Sequence, residues 1–233
     1  MPRRLRPTAD IYEDAILVGD PGRAMALAQI IIEGPKMSNH ARGLWGYSGL
    51  TAEGRGLNVQ ATGMGGPSAA LVLRDLAELG VRRAVRIGTC AALGAGNGPG
   101  DIGPEPDRAT PRPGDVVVVA AARPWAFDGR PGATTVPDET LSRRLGAELG
   151  ETARPARVAS LDVLHPAPGR PTPDGDVADM QTAALLAAGR DLGVALAAIL
   201  IVTEAEGAEP LDDDALADRA ACVAEHATRA LFA

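Results

Sequence analysis

Thr62 to Leu93 reads TGMGGPSAALVLRDLAELGVRRAVRIGTCAAL, and the rest of the chain is arranged around it. Gly63, Gly65 and Gly66 permit a tight turn and a close approach of backbone to a ligand. Pro67 falls where a first helical residue would stand, a position at which its missing N–H costs nothing. Ala69, Leu71, Val72, Leu73, Leu76, Ala77 and Leu79 then form an apolar stripe at helical spacing. Arg74, Asp75 and Glu78 fall on the opposite face, and Gly80 supplies the stop. Ala84-Val85-Arg86-Ile87 is expected to be a buried strand, with Gly88-Thr89-Cys90 as the turn at its carboxyl end. Arg86 interrupts that strand. A buried arginine needs a partner. One reading gives it an internal carboxylate; the other makes it an anion ligand at the open end of a parallel sheet, where α/β folds bind small molecules.

Working outward, Ala15 to Val18 reads as a first buried strand, and Gly19-Asp20-Pro21-Gly22 turns it into a helix over Ala24 to Ile31. Free N–H groups at such a helix start make an anion site. That turn carries neither a Gly-Lys-Ser/Thr loop nor a GxGxxG fingerprint, which argues against a nucleotide loop or a nicotinamide-dependent dehydrogenase there. Gly43 to Leu50 and Gly56 to Thr62 read as strands joined by a turn at Ala52 to Arg55. Gly94 to Gly114 is rich in Gly and Pro and reads as a loop. Asp115 to Ala122 has the composition of a fully buried strand. Pro137 to Gly150 has helical spacing, with Leu141, Leu145 and Leu149 on one side. Arg157 to Leu161 is a further strand. Met180 to Asp191 is a helix, Leu196 to Val202 a central strand, and Leu211 to Leu231 a closing helix with Asp212, Asp213 and Asp214 at its start, as the helix dipole favours.

Taken together, these elements predict an α/β fold: one domain over residues 1–233, with a mixed central sheet flanked by helices. The 233 residues and 45% apolar content suit one core, and aromatics at 3% leave Ala, Val, Leu and Ile to fill it. The net charge of −7 argues against a general nucleic-acid or membrane surface. Cys90 and Cys222 lie far apart, and His40, His165 and His226 are scattered, so no metal spacing exists and none is expected. MPRRLR at the start lacks a following apolar region, and Val194 to Val202 is too short to cross a bilayer. A cytoplasmic location is therefore expected.

TGMGGPSAA followed by VRIGTC resembles the nucleoside phosphorylase family that includes bacterial purine nucleoside phosphorylase and uridine phosphorylase. Val18-Gly19-Asp20-Pro21-Gly22-Arg23, His40 to Tyr47 and Asp179-Met180-Gln181-Thr182-Ala183-Ala184 resemble further family blocks, in family order. The resemblance implies phosphorolysis of a nucleoside to free base and pentose 1-phosphate, with inorganic phosphate as co-substrate and no cofactor. It implies a phosphate pocket of Gly19, Arg23, Arg42, Arg86 and Thr89. Arginine suits that task, because its planar fork bonds phosphate through two parallel hydrogen bonds. The family's counterpart of Arg42 crosses a subunit interface, which implies a homo-oligomer built on dimers, up to a hexamer.

Met180 and Gln181 would face the sugar, and Cys90, Ala91 and Leu164 the base. Glu204 stands where purine-specific members often carry an aspartate that protonates the leaving base, with Glu206 as a competing candidate; this tilts the reading toward purine. Arg86 and Glu204 are the expected catalytic pair. The chain departs from the family pattern at Gln181, where a glutamate is usual, and at Ala91, where a glycine is usual. No histidine precedes His40, and Arg4 stands near the place of the family's N-terminal histidine. Two alternatives stay open at this level: a nucleoside hydrolase on the same fold, and a catalytically impaired nucleoside-binding homologue.

Overall fold

The computed structural model describes residues 4–93, 110–163 and 173–233. Among them, strands β1 (Asp14–Val18), β2 (Glu33–Asn39), β3 (Gly46–Leu50), β4 (Gly56–Ala61), β5 (Arg83–Ala92), β6 (Val116–Trp125), β7 (Ala153–Leu161), β8 (Val177–Asp179) and β9 (Ala195–Glu204) form one mixed sheet. Helices α1 (Pro21–Ile31), α2 (Gly66–Glu78), α3 (Glu139–Leu149), α4 (Thr182–Leu192) and α5 (Asp213–Phe232) cover its two faces.

The sheet runs β2-β3-β4-β1-β5-β8-β7-β6-β9, and β9 pairs back onto β5. Strands β5, β8, β7, β6 and β9 therefore close into a ring, and β2 is the one open edge among the described strands. The ring's seams are unequal. β5 and β9 share a long parallel register from Arg83↔Ala195 to Cys90↔Val202, whereas β5 and β8 meet only at Ala91↔Ala178 and Ala92↔Val177.

Period-two alternation sorts the strand residues between two cores. Ile16, Val18, Val85 and Ile87 join the cluster under α1, α3 and α5. Ala15, Leu17, Ala84 and Cys90 join the cluster under α2 and α4. Arg86 shares the face of Ala84, so its guanidinium is directed to the α4 side. The same alternation explains Gly88, two residues on: a Cβ there would lie 2.5 Å from Arg86 Nη2 and 2.9 Å from Leu200 Cδ2. Glycine is what lets the arginine fold along its own strand. Gly66 has a comparable role between helices, since a Cβ would come within 2.9 Å of the Ala184 methyl and hold α2 away from α4.

Several expectations are corrected. Gly88-Thr89-Cys90 is no turn; β5 continues to Ala92, because β9 offers a parallel partner along that whole length. The strand expected from Gly43 begins at Gly46, after a 3-10 turn at Ala41–Gly43. β2 and β8 were not foreseen. β6 runs on to Trp125 and is only partly buried, with Ala120 exposed. Asp75, expected on a polar face, is buried: its carboxylate accepts the backbone N–H groups of Arg4 (2.8 Å) and Leu5 (3.0 Å), and the Arg4 guanidinium lies 3.5 Å away. Arg4 is thus tied inward to its own chain. The helix expected from Met180 starts at Thr182. Most of the loop expected over Gly94 to Gly114 lies outside the described residues, as do Leu164 and His165.

Candidate active site

β1, β4, β5 and β9 run parallel, and their carboxyl ends meet at one cleft of about 440 Å³. Its walls come from Gly19 to Arg23, from Gly63 to Gly65, from Arg86 and Gly88 to Ala91, from Ala178 to Gln181, and from Thr203 and Glu204. Three helices begin here. Asp20 caps α1 by accepting the N–H of Arg23 at 2.7 Å, with Pro21 at the first helical position. Gly65 precedes α2 with φ of 81°, and no side chain caps that end. Gln181 precedes α4. Three amino-terminal dipole ends at one cleft favour an anion in it.

Arg86 stands at the centre and is only 4% exposed. Its Nη2 donates to Asp179 Oδ2 at 2.9 Å, its Nη1 to Gln181 Oε1 at 2.6 Å and its Nε to Thr182 Oγ1 at 3.1 Å. One N–H on each terminal nitrogen remains, and Arg86 lines the cleft. The internal ion pair of the first reading is present, and the guanidinium still borders the cleft. Arg83, three residues earlier, is the contrast: Nε and Nη2 grip both oxygens of Asp14 at 2.6 and 2.7 Å, far from the cleft.

Asp179 is the residue that sequence reading left without a role. Its Oδ1 accepts the Ser160 hydroxyl at 2.5 Å; its Oδ2 accepts the Thr182 hydroxyl at 2.6 Å and the Thr182 N–H at 3.0 Å, besides Arg86. It thus starts α4 and anchors Arg86 at once. The local signal was available: an acid three residues before a helical threonine is a cap pattern. Ser160 and Thr182, which complete the network, were likewise missed.

Arg23 faces the same cleft, half-buried, and its guanidinium has no hydrogen-bond or ion-pair partner among the described residues. Burial holds its pKa below the ordinary value, with Arg86 pushing the same way and Asp20 and Asp213 opposing. Gly19, Thr89, Cys90, Ala91, Met180, Gln181 and Glu204 all line this cleft, and Glu206 does not. Burial raises the Cys90 thiol well above its usual range, with Asp179 adding to the effect, and the thiol points to the Ile201 carbonyl at 3.7 Å. Met64, 84% exposed in the glycine turn, hangs at the mouth. Arg42 is not in this wall. It sits exposed on the 3-10 turn with φ of 61°, the one non-glycine residue with positive φ among those described. Backbone strain of that kind costs of order 1 kcal/mol and collects at functional positions. Among the described residues no group of His, Cys, Asp or Glu is placed to hold a metal ion. No described helix is long and apolar enough to cross a membrane.

Parallel strand ends, helix starts and two arginines thus enclose one cleft at an end of the mixed α/β sheet. The Phosphorylase superfamily profile matches residues 13–233, and the chain belongs to that family. Among curated relatives, the DeoD-type purine nucleoside phosphorylase of Oceanobacillus iheyensis is 40% identical over 85 residues, and that of Geobacillus kaustophilus 40% over 87 residues. Each alignment spans only 36% of the relative's length and 36% or 37% of this chain. Among solved structures, a uridine phosphorylase of the oomycete Phytophthora capsici superposes with a TM-score of 0.78 at 20% identity, covering 97% of this chain and 92% of the other. A purine nucleoside phosphorylase from Toxoplasma gondii gives 0.74 at 21% identity, covering 96% and 94%. These two likenesses concern the fold.

Proposed function

We propose that the chain cleaves a nucleoside by phosphorolysis, releasing the free base and a pentose 1-phosphate, with purine nucleosides the favoured class. One observation carries the reading: Arg23, with no hydrogen-bond or ion-pair partner among the described residues, and Arg86, with two N–H groups to spare, border the same cleft at the starts of three helices. Arg86 is already paired with Asp179, but its free N–H groups, Arg23 and the three helix starts together favour an anion in the cleft. Inorganic phosphate fits, held by Arg23, Arg86, the Thr89 hydroxyl and the backbone beside Gly19.

In this scheme a phosphate oxygen attacks the anomeric carbon as the bond to the base nitrogen breaks. The bonding pair leaves with the base, and the cationic character that develops on the sugar is met by the adjacent dianion. Glu204, at the end of β9 and open to the cleft, donates a proton to the departing base nitrogen. Met180 and Gln181 form the wall against which the sugar lies, and Cys90 and Ala91 the floor beneath the base. Arg42, which does not line its own cleft, completes the phosphate pocket of a neighbouring subunit, so the working unit is a dimer or a multiple of it. The enzyme acts in the cytoplasm, where nucleoside and inorganic phosphate are both at hand.

The test is a panel of purine and pyrimidine nucleosides incubated with and without inorganic phosphate, with released base separated by chromatography. Base release that depends on phosphate, greatest with purines, is expected. Equal release without phosphate would mean that water is the nucleophile and would overturn the reading.

A further inference from the structure

β9 follows β5 residue for residue from Arg83↔Ala195 to Cys90↔Val202, then slips by one: Ala91 pairs with Glu204, and Thr203 is left over. An extra residue of this kind is rare in a parallel pair, bends the strand and re-aims the side chains beyond it. Side chains alternate between the two faces of a sheet, so the slip decides which face Glu204 takes. Cys90 and Ala92 pack into the core under α2 and α4, while Ala91, between them, faces the other way. In unbroken register Glu204 would stand opposite Ala92 and share its face. The slip sets it opposite Ala91 instead, in a cross-strand row with Ala91 and Ala178, and all three residues line the cleft.

Hydrogen bonds on either side confine the slip to one residue. Before it, Val202 donates to the Asp115 carbonyl at 2.9 Å and accepts the Gly114 N–H at 2.8 Å. After it, the Thr203 carbonyl accepts the Leu211 N–H at 2.9 Å, which closes the loop from Glu204 to Pro210 on itself. Toward β5, the Thr203 hydroxyl donates to the Cys90 carbonyl at 3.3 Å. That bond ties the extra residue back to the strand it has slipped past. Valine has the shape of threonine and suits a strand, but it cannot make this bond; serine can.

We infer that Thr203 is a positioning residue: its hydroxyl pins the slipped register of β9, and the slip turns the Glu204 carboxyl to the cleft as proton donor to the leaving base. This rests on the phosphorolysis proposed above. The test compares wild type, Thr203→Val and Thr203→Ser on a purine nucleoside and on its N7-methylated counterpart. The methylated base already carries a positive charge. It takes the electron pair of the breaking bond and leaves neutral, with no proton needed from Glu204. T203V should lower kcat on the ordinary nucleoside by about tenfold or more, while kcat on the methylated one and KM for phosphate stay within about threefold of wild type. T203S should recover most of the loss. Equal losses on the two nucleosides would mean that Thr203 shapes the cleft at large, and overturn the inference. So would T203V as active as wild type, or T203S no better than T203V. Should T203V fail to fold, Thr203→Ala, which also lacks the hydroxyl, takes its place under the same expectations. If wild type releases base from neither nucleoside, or equally without phosphate, the phosphorolysis reading fails first, and this role for Thr203 fails with it.

Discussion

Gly88 shows how one missing methyl group sets the geometry of a charged site. The Arg86 guanidinium lies where a Cβ of residue 88 would be, and three hydrogen bonds fix it there. Gly88→Ala should therefore displace the fork, raise the KM for phosphate by about tenfold or more, and cost ~1–3 kcal/mol of stability from overpacking against Leu200. Steady-state kinetics with phosphate varied, together with urea denaturation, check both parts. Arg86 itself was legible in the sequence, because a cation inside a β-branched run has few explanations. Its partner Asp179 was equally visible but drew no attention, since an acid before a helix usually serves only as a cap. The contact between Gln181 and Gly63 was not legible at all: no local pattern joins residues so far apart in the chain.

Secondary elements were legible where periodicity was strong and long. α2, α3 and α5 follow their apolar stripes, and β9 follows its run of β-branched residues. β2 and β8 escaped for physical reasons. β2 contains Gly34 and Pro35 and exposes most of its residues, so it shows no alternation. β8 is three residues long beside a proline-rich stretch, and exists because β5 and β7 each offer a rail. Asp75 marks the limit of stripe reasoning on α2, where one acid turns inward to receive a distant segment. Replacing it with alanine leaves the buried Leu5 N–H and the half-buried Arg4 N–H without acceptors. Asp75→Ala should cost ~2–4 kcal/mol and Asp75→Asn less, read as a lowered urea midpoint. Because α2 starts at the glycine turn, the alanine variant should also lower turnover.

At the scale of the whole molecule, a mixed sheet flanked by helices followed from the order of strands and helices, and the family from the sequence blocks around TGMGGPSAA and VRIGTC. The closed ring did not, since closure depends on β9 pairing with both β5 and β6. The proposed role of the exposed Arg42 would make the site's completeness a matter between subunits. Arg42→Ala and Glu204→Gln should each lose activity, the latter by about a hundredfold or more. Unfolding the two together and refolding them should restore part of it, because some clefts then receive an intact Arg42 and an intact Glu204. Activity in the mixture no higher than in either variant alone would place Arg42 outside its neighbour's cleft.

Ring closure also limits where this protein can be zippered to others. A strand with unpaired backbone groups is a template for amyloid-like stacking, and here only β2 presents one among the described strands. That border is poorly suited to extension. Pro35 brings no amide hydrogen, Lys36 brings charge, Gly34 bends at φ of 56°, and the pairing slips twice against β3. The sheet is self-terminating on one side and blunted on the other, so a solution crowded with copies finds no flat seam among the described strands along which to polymerise.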